Sequence, residues 1–423
     1  MNRRWTVVAL IFVGILISYV DRGNLGIAAS AIMREFQFPP AAMGMLLSAF
    51  FWTYAAFQIP AGFIVDRIGI KKVYAGAFLL WSLASAAIAL SRGLPDILGL
   101  RLVLGLAEAV GPIASLSFIR RNFSGAEQGL PTAIYIAGQN AGPAIGALLG
   151  TVLIDKLGWR AMFALTGLGA LVWLPFWLWL APPDRVAPVK ASQPQQAAPQ
   201  ADMPWKATLR SRAFWAMTLC IFLSSYYWFF LLTWVPTYLT TARGFSMLEM
   251  GRVLSTPLFV MAVLNIIAGF LADRMVKRVG SVFRVRVFFA AAGYIGAAAI
   301  LLLLVLPGRE AVLPILVVSI CSVGLGNSNY WAISQHAPPA GLVGRTIGYL
   351  NTVSQMAGAA APLITGWILG PQKQFGVAIA IAGVCPLLAA VCLIVAGPKG
   401  LEQFKQIWAG DMTPSPALTG PRA

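Results

Sequence analysis

Charge is scarce in this chain. Asp, Glu, Lys and Arg make up 11% of its 423 residues, against about 25% in an average soluble domain. Apolar residues reach 59%, where about 45–50% is usual. That balance excludes a soluble enzyme and points to a polytopic membrane protein. Histidine occurs once, as His336 near the end of an apolar run, so paired His metal ligands are missing. The four cysteines (Cys220, Cys321, Cys385 and Cys392) lie inside apolar runs without metal-ligand spacing, which fits buried small-residue packing. Acidic residues are few, and the net charge is +17. Nucleic acid is not the partner this implies. The basic residues sit in short loops between apolar stretches, where membrane orientation accounts for them. No nucleophile motif and no metal cluster is present, so the chain is not read as an enzyme.

What is abundant is apolar sequence in windows of about 20 residues, the length that spans a bilayer. Twelve such windows fall near 6–30, 42–65, 73–91, 95–119, 129–152, 160–181, 213–239, 249–272, 285–306, 311–334, 344–369 and 375–396. The predicted fold class is an all-α membrane protein of twelve transmembrane helices in two six-helix bundles. Arg3 and Arg4 precede the first run as in a signal peptide. The run is too long for one and carries charge, so it reads as a retained helix. Only one connection is long, at 182–212, and it is rich in Pro, Gln and Ala, the composition of a flexible linker. The predicted division is 1–181 for one half, 182–212 for the linker, 213–398 for the other half and 399–423 for a tail.

Of the 31 Lys and Arg residues, 21 fall on the side of the termini and 8 on the opposite side. That bias puts both termini in the cytoplasm. The halves also repeat. Gly62-Phe63-Ile64-Val65-Asp66-Arg67 is echoed by Gly269-Phe270-Leu271-Ala272-Asp273-Arg274, 207 residues on. A repeat at half the chain length suggests a duplicated six-helix unit around a midplane site.

Four charges interrupt this apolar mass: Asp21 and Arg22 in the first span, Arg101 and Glu108 in the fourth. A charge at membrane depth costs about 2.5–3.5 kcal/mol on insertion scales and marks a functional site by default. Arg22 is the candidate substrate anchor, because a guanidinium forks onto a carboxylate through two parallel hydrogen bonds. Adjacent helical residues diverge by about 100°, so an Asp21–Arg22 pair is disfavoured. Asp21 and Glu108 are candidates for proton coupling, since burial disfavours the charged form of a carboxylate. Protons are the expected coupling ion and no cofactor is expected. Glu108 lies seven residues after Arg101, two turns along one face; the competing reading is a buried structural pair holding helix four to helix one, with pairing of Glu108 to Arg101 as a further structural option. Tyr19, Tyr54, Gln139, Trp331 and Asn351 are the polar and aromatic groups expected to line the rest of the cavity.

These motifs resemble the major facilitator superfamily. Gly62-FIVDR-Ile68-Gly69-Ile70-Lys71-Lys72 is close to its loop motif G-x-x-x-D-R-x-G-x-K-K. Tyr19-Val20-Asp21-Arg22-Gly23-Asn24-Leu25, Phe57-Gln58-Ile59-Pro60-Ala61-Gly62 and Arg101-LVLG-LA-Glu108-Ala109 are similar to signatures of the anion:cation symporter family. The resemblance implies an alternating-access importer of a small organic anion, such as a sugar acid, driven by protons. The short loops suggest a bacterial inner membrane, and the chain is expected to work as a monomer. The resemblance gives Asp21 and Glu108 proton coupling, and Arg101 a part in releasing the proton. It makes Gly62, Asp66, Arg67, Gly69, Lys71 and Lys72 a conformational latch between the second and eleventh helices. One segment departs from it. Gly138-Gln139-Asn140-Ala141-Gly142-Pro143-Ala144-Ile145-Gly146 resembles part of a drug/proton antiporter motif, although small residues at this spacing also pack helices. A proton-coupled efflux antiporter of an amphipathic compound is therefore the alternative.

Overall fold

The computed structural model describes residues 3–124, 127–183, 205–338, 343–370 and 374–410. Ten of its helical stretches are long and apolar enough to cross a membrane. One of these, Gly129–Leu180, runs for 52 residues. It contains two helices, because Gly158 breaks the helical path at φ 82°, ψ 165°, a conformation that side-chain-bearing residues avoid. A further helix, Val343–Leu369, has 27 residues, about 40 Å of helix. Its apolar run is diluted by Asn351, Thr352, Ser354 and Gln355. The total is twelve, as the sequence predicts.

In chain order they are α1 (Arg3–Phe36), α2 (Pro40–Ile68), α3 (Ile70–Ala87), α4 (Leu94–Asn122), α5 (129–157) and α6 (159–180). The second set is α7 (Arg212–Thr233, resuming after Trp234 as Val235–Thr241), α8 (Met247–Val279), α9 (Val282–Leu304), α10 (Arg309–His336), α11 (Val343–Leu369) and α12 (Phe375–Gly410). Within the sets, α1 packs on α5, α9 on α10 and α7 on α12; between them, α2 packs on α11 and α5 on α8.

The structure describes only parts of the expected linker and tail. Residues 184–204 and 411–423 lie outside the described residues. The end of the 182–212 segment is a short helix, Trp205–Arg210. Residues 399–410, expected as tail, are helical. α12 kinks at Gly397 (φ 59°, ψ 167°) and continues from Pro398, a residue suited to a first helical turn. Leu401 and Phe404 are buried there, and Phe404 lies 6.4 Å from Phe214. Those two apolar residues, three apart on one face, hold the helix to the bundle.

The seam between the two sets differs at its two ends. At the end bearing Arg34 it is shut by backbone contact. A methyl placed on Gly44 would lie 2.6 Å from the Pro362 carbonyl, and one on Gly366 would lie 2.6 Å from the Pro40 carbonyl. Only glycine lets α2 and α11 approach this closely. Trp234 adds a hydrogen bond to the Pro362 carbonyl at 3.0 Å. One buried apolar cluster joins both sets and includes Met33, Met43, Trp159 and Trp234 at this end. At the end bearing the termini the first set has its own buried cluster, drawn from residues 7–181. There, positions Gly62 and Gly269 face open space, and Phe63 and Phe270 are exposed. The bundle is closed at the Arg34 end.

Candidate functional site

The site is built on the middle of α1, where four residues per turn-and-a-bit place Ser18, Tyr19 and Arg22 on one side and Asp21 on another. Arg22 donates from Nε to Oε2 of Glu108 on α4 at 2.7 Å. Ser18 Oγ donates to the same oxygen at 2.6 Å. Glu108 is fully buried, and the Arg22 side chain is 11% exposed. Three aromatic rings surround the guanidinium: Tyr54 at 4.5 Å, Tyr19 at 4.6 Å and Phe50 at 5.1 Å from Cζ to ring centre. Each such contact is worth about 0.5–2 kcal/mol, more where water is excluded. Arg22 Nη2 is buried and has no hydrogen-bond partner among the described residues.

Asp21 does not pair with Arg22. It turns toward α3 and accepts from Asn24 Nδ2 at 3.2 Å and Ser85 Oγ at 3.3 Å. Asn24 also donates to Thr166 Oγ1 of α6 at 3.1 Å. Arg101 is buried, with its guanidinium 5.1 Å over the Phe50 ring, while its Nε and Nη1 lack partners among the described residues. The Arg101–Glu108 pairing open from their spacing is not formed. Seven residues separate them by about 10 Å along α4, and Oε2 of Glu108 is taken by Arg22 and Ser18 of α1 instead. Two guanidiniums and two carboxylates thus share one buried region, with a net charge of zero.

Gln139 extends the site to α5, donating to Tyr19 Oη at 3.1 Å and Tyr135 Oη at 2.9 Å. From the second set, Asn351 of α11 donates to Oε1 of Gln58 on α2 at 3.4 Å. Trp331 packs edge-on to Tyr330, 5.8 Å between ring centres, against the second set's apolar core. Tyr19, Arg22, Tyr54, Gln139 and Glu108 are brought together; Asn351 reaches them through Gln58 and α2; Trp331 does not touch the charged group. Sequence reasoning missed Ser18 and Ser85, and took Gln58 only as part of a family signature. Ser18 lies one turn before Arg22 and Gln58 one turn after Tyr54, so helical spacing could have found both. Nothing in the sequence marks Ser85.

The Major Facilitator Superfamily pattern matches residues 11–362 of this sequence. The chain belongs to that superfamily. It is accordingly a transporter, not an enzyme. A probable anion transporter of rice chloroplasts (Oryza sativa subsp. japonica) is 30% identical over 381 residues, covering 87% of this chain and 64% of the rice protein. The chain thus spans less than two thirds of that relative. The D-galactonate transporter of Escherichia coli O6:H1 is 27% identical over 420 residues, covering 93% of this chain and 95% of the relative. In fold, the chain is similar to a bacterial homolog of the human lysosomal transporter Spinster, solved inward-facing and unoccupied. The TM-score is 0.75 at 17% identity, over 99% of this chain and all of the other.

Two superfamily features gain a physical reading. The loop motif joins α2 to α3 through Gly69 at φ 109°. Asp66 pairs with Arg121 at the end of α4, 2.7 Å apart, the side chains 71% and 46% exposed. Its partner therefore lies in the first set, not on α11. Lys71 donates to the Ala181 carbonyl at 2.9 Å, and Trp177 Nε1 donates to the Lys71 carbonyl at 3.1 Å, so the loop is fastened to the end of α6. Arg67 and Lys72 are exposed. The glycine motif of α5 is a packing stripe. A methyl on Gly138, Gly142 or Gly146 would meet Phe12 and Ile15, Leu16 and Tyr19, or Val20 of α1 respectively. These glycines let α5 press onto the helix that carries Arg22.

Proposed function

We propose that this chain is a secondary transporter that imports small organic anions, sugar acids foremost, together with protons. The observation that carries the reading is the Arg22 guanidinium, walled by three aromatic rings and held on one edge by a single buried carboxylate. Its remaining edge suits a substrate carboxylate. Tyr19, Tyr54 and Gln139 flank that position with hydroxyl and amide groups fit for a hydroxylated chain, and Asn351 and Trp331 are the second set's candidates for the same substrate.

The pairing of Arg22 with Glu108 supplies a coupling rule. An ionised Glu108 competes with a substrate carboxylate for the same guanidinium. A proton on Glu108 cancels that competition, and it also offsets the charge of an incoming anion in a region whose own charges sum to zero. Anion and proton each favour the other's binding, and linkage makes that preference reciprocal. Asp21, held by Ser85 and Asn24, is the second proton-carrying candidate. Arg101, with uncommitted nitrogens beside it, stabilises the ionised acids and so assists proton release. Access alternates by opening of the glycine-closed seam at the Arg34 end as the other end shuts. The charge bias supports a cytoplasmic side for the loop motif and both termini. No observation favours efflux, because the α5 glycines are taken up by packing on α1.

Uptake into proteoliposomes tests the reading. Radiolabelled D-galactonate, with other sugar acids, dicarboxylates and aromatic acids as competitors, should accumulate under an inward proton gradient. A protonophore should abolish accumulation but leave exchange. Extrusion against the gradient would favour the antiporter, and no transport of any panel member would sink the anion reading.

A further inference from the structure

Outside the closed end of the seam lies a cleft of about 640 Å³. One wall is the α1–α2 connection, with Arg34, Gln37 and Pro40; the other is the α7–α8 connection, with Thr240, Thr241 and Phe245. The cleft therefore straddles the two six-helix sets. Pro40 belongs both to its lining and to the closure beneath, where its carbonyl meets Gly366. A solute in the cleft sits at the entrance that opens when this closure parts.

The charges around the cleft are sorted. Arg160 is bound to Glu35 at 2.7 Å, and Arg309 to Glu249 at 2.8 Å. Arg243 is spent on the Leu303 and Leu306 carbonyls. Glu35, next in sequence to Arg34, is turned to Arg160 and to Trp159 Nε1 at 2.6 Å. Arg34 is exposed and forms no ion pair with a carboxylate among the described residues. Its turn is fixed by Gln37, which sits at φ 55°, the one positive φ outside glycine among the described residues. Gln37 Nε2 donates to the Arg34 carbonyl at 2.7 Å. Gln37 thereby caps the end of α1 in the left-handed conformation, and Phe38 N donates to the Met33 carbonyl at 3.1 Å. The Thr240 and Thr241 hydroxyls donate to carbonyls of their own helix, Thr237 among them, which leaves their oxygens free to accept.

We propose that this cleft is an outer binding site for a small carboxylate anion, in which Arg34 takes the carboxylate and Thr240 and Thr241 accept from its hydroxyls before it passes inward to Arg22. The proposal rests on the anion-transport reading. It assigns Arg34 a sided role. Arg34 raises capture from its own face only, whereas Arg22 serves both directions.

The test compares Arg34→Gln and Arg34→Lys with the parent in vesicles of both orientations, using radiolabelled D-galactonate, the substrate named for the E. coli relative. For entry from the Arg34 face at low ionic strength, Arg34→Gln should raise KM about three- to tenfold at unchanged maximal rate. Salt near 0.5 M should shrink the difference by screening. Arg34→Lys should keep most of the parent's KM. Entry from the opposite face and the Tm of both variants should match the parent. An unchanged KM at the Arg34 face, an equal change at both faces, or a lowered Tm would each overturn the outer site while leaving the transport reading intact. A parent that carries no sugar acid would overturn both.

Discussion

The first six helices and the last six repeat one plan but divide the polar work unequally. The first set buries Asp21, Arg22, Arg101 and Glu108 around α1 and α4. The second set buries neutral groups. Tyr294 Oη donates to Asn327 Oδ1 at 3.0 Å, Tyr330 Oη to the Met217 carbonyl at 2.7 Å, and the Ser225 and Ser354 hydroxyls meet at 2.7 Å; Tyr227 is bonded to Ser319. A buried charge responds to protons and to anions, while neutral hydroxyls and amides respond to shape. The imbalance argues that coupling belongs to the first set, and that the second set closes over the substrate. At the face bearing the termini the weighting reverses. Asp66 and Asp273 are matched by the repeat, but Asp66 meets an exposed arginine, whereas Asp273 meets Arg286, a side chain only 13% exposed. Arg286 also donates to the buried Asn329 at 3.0 Å, which ties α8, α9 and α10 together.

The largest effect should follow a change at Arg22. Arg22→Lys keeps the charge but loses the planar fork and much of the stacking on Tyr19, Tyr54 and Phe50. Counterflow, which needs no net proton movement, should fall at least about 100-fold, the order of a lost charge-assisted bidentate contact. Folding, read as Tm, should be preserved. Counterflow within twofold of the parent would remove Arg22 from the anchor role and erase the functional contrast between the sets.

Glu108→Gln separates coupling from architecture. Glutamine copies the neutral acid and can still accept from Ser18. Exchange should survive, and proton-driven accumulation should collapse, because no proton can leave. A purely structural Glu108 predicts otherwise. Breaking the buried pair would leave Arg22 uncompensated at a cost of about 3–5 kcal/mol, and Tm, exchange and accumulation would fall together. All three are to be measured on one preparation; accumulation equal to the parent would end the coupling role.

Much of this was legible from sequence, for physical reasons. Burial in a bilayer forces long apolar runs and isolates the few charges, so the twelve helices, including the break at Gly158 between two windows, could be read directly. A pair between helix four and helix one could be proposed, but its exact partners could not. Helical spacing shows which residues share a face, but it does not show which face of α4 meets α1. Glu108 was therefore open to Arg101 and turned out to bind Arg22 and Ser18. The same holds for Asp66, whose partner Arg121 depends on how α4 ends beside α2. The helix beyond Gly397 was hidden because a kink at a Gly-Pro step looks like a terminus.

The smallest effect is expected at the two aspartates, and it tests whether the repeat is functional or merely inherited. Asp66→Asn removes an ion pair whose partners are both substantially exposed, a class worth about 0–1 kcal/mol. Tm should move little and KM should not change, since Asp66 lies far along α2 from Arg22. Turnover should slow modestly, about two- to fivefold, if the loop motif biases one state over another. Asp273→Asn leaves the more buried Arg286 with Asn329 alone, so its Tm should drop clearly further than that of Asp66→Asn. The comparison is made on both variants by melting in detergent, by uptake, and by labelling of a single cysteine introduced at the Arg34 end. Equal melting shifts would mean that the two copies of the motif do the same work despite their different partners. A slowed Asp66→Asn with altered cysteine labelling would mean that the first copy acts on the conformational equilibrium, and that the second serves chiefly to hold its own set of helices together.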